Sequence, residues 1–118
     1  MIFDTSVWAE FFIKGKNWNA IRSKIEEESV HTSMISVAEL TAWALKNNLS
    51  VSETVNYVKG LSQILDVDED IAILSGRIKR DHKLGLGDSI LLATARLKST
   101  PLLTKDNDFR GLDNVVML

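Results

Sequence analysis

A chain of 118 residues, 45% hydrophobic and 25% charged, has the composition of one globular domain, large enough to bury a sizeable core without staples. The absence of cysteine, with only His31 and His82 present, excludes disulfides, thiol nucleophiles, thiolate zinc and histidine-rich metal sites. A net charge of −2 excludes a general basic coat for nucleic acid, yet leaves room for a local basic patch.

No stretch approaches the roughly 20 apolar residues that span a bilayer. Met1-Ile2-Phe3 carries no basic leader, and Asp4 would interrupt a signal core. The expectation is a soluble, cytoplasmic, single domain over residues 1–118, with no membrane contact.

In chain order, Ile2-Phe3 reads as a short buried strand ending at Asp4, and Thr5 or Ser6 caps a helix through Val7–Ile13 that Gly15 ends. Asn17 starts a second helix with Trp18, Ile21 and Ile25 on one face. Residues 30–33 form a strand. Ser36-Val37-Ala38-Glu39 matches the capping box S-x-x-E and opens a third helix reaching Asn48. A fourth helix runs from Val51 or Ser52 to Ile64, capped by Ser50 or Ser52, and residues 64–68 leave as a strand. Glu69–Leu84 is helical, with Arg77, Lys79, Arg80 and Lys83 outward. Gly85-Leu86-Gly87 breaks it. Asp88 opens a helix that is apolar nearly all round, Leu102–Thr104 is a strand, residues 105–111 are a polar loop and Val115–Leu118 is a final strand. Short apolar strands alternating with helices predict an α/β fold, three layers deep (α/β/α), around a mostly parallel sheet of four to five strands.

Each acid at an element boundary has an ordinary explanation. Asp4 and Asp88 are cap positions, Glu39 is the reciprocal acid of a capping box, and Asp106 and Asp108 flank Asn107 in an Asx-rich loop. Their joint placement says more. Asp4 and Asp106 end or follow strands, while Glu39 and Asp88 open helices, and in a parallel sheet these boundaries share one edge. If the topology brings them together, four carboxylates occupy one pocket and must take up protons or cations. Oxygen ligands alone select hard ions such as Mg²⁺ or Mn²⁺, as in metal-assisted phosphodiester hydrolysis. A calcium loop at Asp106–Met117 is rejected, because Arg110 and Met117 stand where oxygen ligands belong.

Four segments together resemble the PIN-domain ribonucleases, and in particular the VapC toxins of toxin–antitoxin pairs. They are Asp4-Thr5-Ser6 after the first strand, Ser36–Leu40, Gly87–Ala95 and Leu102–Phe109. The resemblance covers essentially the whole chain. It implies catalytic roles for Asp4, Glu39, Asp88 and Asp106, with the metal on Asp4, Asp88 and Asp106 and on Glu39 directly or through water. Thr5, Ser6 and Thr104 would hold water or orient carboxylates, and Asp108 is a ligand or a loop brace. Ser89 departs mildly from the small apolar residue common in the family. Water activated on one or two divalent ions would attack an RNA phosphate in line and leave a 5′ phosphate.

Arg77, Lys79, Arg80 and Lys83, then Lys14, Lys16, Lys105 and Arg110, are candidates for RNA phosphates, or else solvated surface. His31 and His82 lack spaced partners and read as structural. Among Trp8, Phe11, Phe12, Trp18 and Trp43 most are expected in the core, while some line a groove for a partner helix. In the resembled toxins that helix is the antitoxin's C-terminal segment. The resemblance also implies a homodimer. Two alternatives stand beside the nuclease: a non-catalytic PIN-like binding module, and a phosphatase of the haloacid dehalogenase type. The phosphatase wants a second Asp where Ser6 stands. A receiver domain lacks its paired acids and its Lys-Pro.

Overall fold

The computed structural model describes residues 1–118. Five short strands, β1 (Ile2–Phe3), β2 (His31–Ser33), β3 (Gln63–Leu65), β4 (Leu102–Thr104) and β5 (Val115–Met117), form one parallel sheet in the order β3-β2-β1-β4-β5. Six helices connect them: α1 (Thr5–Phe12), α2 (Trp18–Glu27), α3 (Met34–Lys46), α4 (Val51–Leu61), α5 (Glu69–Asp81) and α6 (Leu86–Leu97). A single 3-10 turn covers Asn107–Phe109.

Successive side chains of a strand point to opposite faces, so each central strand feeds two cores. Ile2 and Leu102 join Ile71, Ile78, Leu91 and Phe109 on the face covered by α5 and α6. Phe3 and Leu103 join Trp8, Ile21, Leu40 and Val58 on the face covered by α1–α4. The predicted three layers are present. The chain winds outward from β1 through β2 to β3, then returns to β4 on the other side of β1. That reversal places the ligand-binding crevice of an open α/β sheet at the carboxyl ends of β1 and β4.

Several boundaries differ from the sequence expectation, each for a tertiary reason. Asp4, not Thr5 or Ser6, occupies the cap position of α1, yet its side chain makes no cap hydrogen bond because it is engaged elsewhere. The capping box does not form. Ser33 caps α3 by accepting from the Ile35 amide (3.2 Å), which leaves Ser36 buried in the first turn and Glu39 free to point away. The strand after α4 begins at Gln63, since pairing with His31 of β2 claims that residue. Helix α5 stops at Asp81 rather than Leu84, whose side chain turns into the core. Only Gly85 of the Gly-Leu-Gly stretch lies outside α6, so Asp88 is the third residue of the helix and not its first.

Of the five aromatics, Trp8 alone is fully buried. Its indole N–H donates to Thr32 Oγ1 (3.0 Å), Thr32 contacts Ser62 Oγ (2.8 Å), and Ser62 donates to the Val58 carbonyl (2.7 Å). Ser62's proton is thus committed, and Thr32 must donate to it while accepting from Trp8. Trp8→Phe keeps most of the packing but removes the start of this relay. It is expected to cost about 1–2 kcal/mol in urea unfolding with unchanged secondary structure. Phe11, Phe12, Trp18 and Trp43 are half-buried and, with Tyr57 (57% exposed), form a surface aromatic cluster beside a groove of about 300 Å³. His31 lies within β2 and His82 at the end of α5.

Candidate active site

Asp4 sits where β1 meets α1, 4% exposed. Its amide donates to the Leu103 carbonyl (2.9 Å), tying it to β4. Its Oδ2 accepts from Thr104 Oγ1 (2.7 Å) and Ser6 Oγ (2.9 Å). Those hydroxyls also accept in turn, Thr104 from the Asp106 amide (2.9 Å) and Ser6 from the Lys105 amide (3.1 Å). Both hydroxyl protons therefore point at Asp4, and the backbone of residues 105 and 106 hangs from the same two oxygens. Burial raises the Asp4 carboxyl above its ordinary range, and the Asp106 charge adds to this, while the bonds from Thr104 and Ser6 oppose it.

Glu39, half-buried on α3, accepts from Thr5 Oγ1 (2.8 Å) instead of closing a capping box. Burial raises its carboxyl, and the Asp4 charge acts in the same direction. Its Oε2 lies 3.2 Å from where a Cβ on Gly87 would stand, so glycine there lets the glutamate lie against the first turn of α6. One residue on, Asp88 is pushed up to about 6, chiefly by burial and then by the charges of Asp4, Asp106, Glu39 and Asp108. The charges of four other acids reach this one carboxyl, so the five side chains converge on the same end of the sheet.

The polar loop supplies the rest. Asp106 Oδ1 accepts from the Asp108 amide (2.9 Å), an Asx turn that starts the 3-10 turn and folds Asp108 back. Carboxylate oxygens of Asp88, Asp106 and Asp108 lie within 4.8 Å of one another, close to the span across one octahedral ion. The tightest trio thus contains Asp108, assigned by sequence only as ligand or brace, and leaves Asp4 and Glu39 flanking it. The three ion pairs of the molecule are Arg22–Glu26, Arg80–Asp81 and Lys105–Glu10, so no basic side chain neutralises the cluster. Two half-buried carboxylates and the exposed Asp108, unneutralised and with no sulfur or imidazole among them, fit a hard divalent cation.

The basic candidates separate. Lys83 lies in the α5–α6 turn, just before the acidic end of α6. Arg77 shares a cavity with Leu97 at the opposite end of that helix, about 13 Å along it from Asp88. Exposed Arg80 bonds Asp81 (2.8 Å), Arg110 bonds Asn107 Oδ1 (2.8 Å), and Lys14 lies over the Trp18 ring. Lys105 departs most from expectation: its ammonium is held by Glu10 Oε1 (2.9 Å) and is not a free phosphate contact. Glu10 is 5% exposed, and Lys105 holds its carboxyl below the usual range. Nothing local in the sequence marks a pair 95 residues apart.

The family model described as PIN domain matches residues 1–115. The chain belongs to the PIN domain family. No curated protein sequence matches it. Among solved structures, a toxin–antitoxin complex from Klebsiella pneumoniae contains a chain similar to this PIN domain at 28% identity and a TM-score of 0.80, covering 98% of this chain and 94% of that one. VapBC2 from Rickettsia felis, solved with a promoter DNA fragment, gives a TM-score of 0.76 at 17% identity, covering 100% and 98%. VapC20 from Mycobacterium tuberculosis, described as a toxin cleaving the sarcin–ricin loop, gives 0.73 at 16% identity, covering 96% and 95%. These last two share the fold.

Proposed function

We propose that this PIN domain is an endoribonuclease dependent on Mg²⁺ or Mn²⁺ and acts as the toxin of a toxin–antitoxin pair. The carrying observation is the convergence of Asp4, Glu39, Asp88, Asp106 and Asp108 with no basic side chain among them and with Asp88 pushed up to about 6. Family membership and the 28% identical Klebsiella complex support the same reading.

Asp88, Asp106 and Asp108, with Asp4 beside them, would hold the ion, and Glu39 would reach it directly or through water. When bound, the ion supplies Lewis-acid neutralisation of phosphate charge and lowers the pKa of water. Thr104 and Ser6 fix the Asp4 carboxylate with both their protons, which keeps its other oxygen available and stops rotation about the side chain. Thr5 does the same for Glu39. Burial of the acids disfavours their charge, so a cation gains more here than in open water. Lys83, in the turn that leads into the acidic end of α6, is the first candidate for an RNA phosphate, with Arg80 and Arg77 further back along α5. The half-buried aromatics of α1 and α2 with Tyr57 of α4 suit the apolar face of an antitoxin segment, and a homodimer is part of the same reading. No helix is long and apolar enough to cross a membrane.

The test is cleavage of a total RNA pool by purified chain freed of partner. Products carrying 5′ phosphates should appear with Mg²⁺ or Mn²⁺ and vanish with EDTA. A folded protein that cuts no RNA with either ion, and whose Asp4→Asn variant arrests growth as well as wild type, would falsify the proposal.

A further inference from the structure

We infer that the Glu10–Lys105 pair is a positioning strut for the metal-site loop, so that Lys105 sets the placement of Asp106 and Asp108 without touching the ion. This rests on the metal-site reading above.

Residue 105 is held at both ends by α1. Its amide donates to Ser6 Oγ (3.1 Å), and its ammonium meets Glu10 Oε1 (2.9 Å). Ser6 and Glu10 lie one turn apart on that helix, so loop and helix are joined at two points rather than one. Glu10 is itself braced. Its Oε2 accepts from both the Asn17 amide (3.1 Å) and Asn17 Nδ2 (2.9 Å), which ties the α1–α2 turn to the same carboxylate. A Cβ on Gly15 would stand 2.2 Å from Glu10 Oε1, so the turn closes over the carboxylate only because residue 15 is glycine. Lys14, just before it, adopts the left-handed conformation (φ +51°) that brings the turn round.

The loop so pinned carries two of the three clustered acids. Asp106 follows Lys105 directly, and Asp108 is set by Asp106 through the Asx turn. The Glu–Lys bond is therefore transmitted to Asp106 through one peptide link and on to Asp108 through one hydrogen bond. Outer residues that orient ligands commonly change metal affinity by an order of magnitude or more when removed.

The sign of one substitution separates positioning from simple electrostatics. Lys105→Met removes a positive charge near an acidic cluster, which by Coulomb's law alone tightens cation binding. Loss of positioning loosens it. The measurement is Mn²⁺ binding by electron paramagnetic resonance titration of the intact chain at pH 7.5, without RNA, with melting curves recorded alongside. Wild type should bind, Lys105→Met should bind roughly tenfold more weakly, and Lys105→Arg should stay within about twofold of wild type. The double variant Glu10→Gln/Lys105→Met removes the strut with no change in net charge and leaves no buried unpaired carboxylate. It should also bind about tenfold more weakly. Equal or tighter binding by either Met variant overturns the strut while leaving the metal site standing. No Mn²⁺ binding by folded wild type overturns the metal-site reading, and the strut with it.

Discussion

Asp88→Asn is expected to lower metal-dependent RNA cleavage about a thousandfold and, at the same time, to raise the melting temperature of the metal-free protein. The loss follows from removing one of the three carboxylates within 4.8 Å of each other. A thousandfold corresponds to ~4 kcal/mol, within the several kcal/mol that a well-held ion contributes to transition-state charge. The gain follows from the cause of the carboxyl's displacement. Asp88 stands about 6 instead of 3.8 because it is half-buried among four like charges, so its ionised form opposes folding at neutral pH. Taken at face value the displacement is ~3 kcal/mol, and solvent screening of a half-exposed group reduces this to about 1–2 kcal/mol. For a chain of this size the melting temperature should rise by about 4–8 °C. Steady-state cleavage of a short RNA and calorimetry in EDTA check the two halves separately. Wild-type cleavage by the variant removes Asp88 from the site, and a lowered melting temperature in EDTA makes it a structural anchor.

Mg²⁺ is expected to stabilise the protein far more at pH 7.5 than at pH 5. Asp4, Glu39 and Asp88 all have folded-state carboxyls raised above their unfolded values. The native state therefore holds more protons than the unfolded state over this window, and stability falls as pH rises through it. For Asp88 that window runs from 3.8 to about 6. Glu10 and Asp81 have lowered carboxyls, so the stability they contribute is lost only as pH falls below their ordinary values of 4.5 and 3.8, under the pH 5 to 7.5 range compared. In EDTA the melting temperature should thus decline from pH 5 toward pH 7. A cation requires the ionised cluster and competes with its protons. At a concentration a hundredfold above its dissociation constant it adds about 2.7 kcal/mol at pH 7.5, and about 1 kcal/mol or less at pH 5, where protons occupy Asp88. Differential scanning fluorimetry across a grid of pH and Mg²⁺ measures both trends. Equal Mg²⁺ shifts at the two pH values would place the ion away from these acids.

The layered α/β architecture, the order of its elements and the identity of the acids were legible in the sequence. Local forces decide such features. The short apolar runs Ile2-Phe3, Leu102-Leu103 and Val115–Leu118 between helical patterns read as buried strands by their length, and Asp4 and Asp106 follow the first two. Cap chemistry was less legible, because several residues compete for one position and packing chooses among them. Ser33 took the cap of α3 from Ser36, and Gly85 took that of α6 from Asp88. The first exchange matters to the site, since it frees Glu39 from a capping box and lets Thr5 claim it.

What the tertiary structure alone decided is which charges meet. The reversal of strand order beside β1 brings Asp4 against Thr104, 100 residues away, and moves Asp108 from a loop acid into the tightest trio. It also takes Lys105 out of the set of free cations by placing Glu10 against it. Periodicity and caps act over a few residues, whereas a Coulomb interaction depends on distance in space and on burial, which exist only once the sheet is assembled. The sequence by itself therefore determined that acids line one edge of an α/β sheet. Assembly of the sheet decided that five of them converge and that Lys105 pairs with Glu10 beside them.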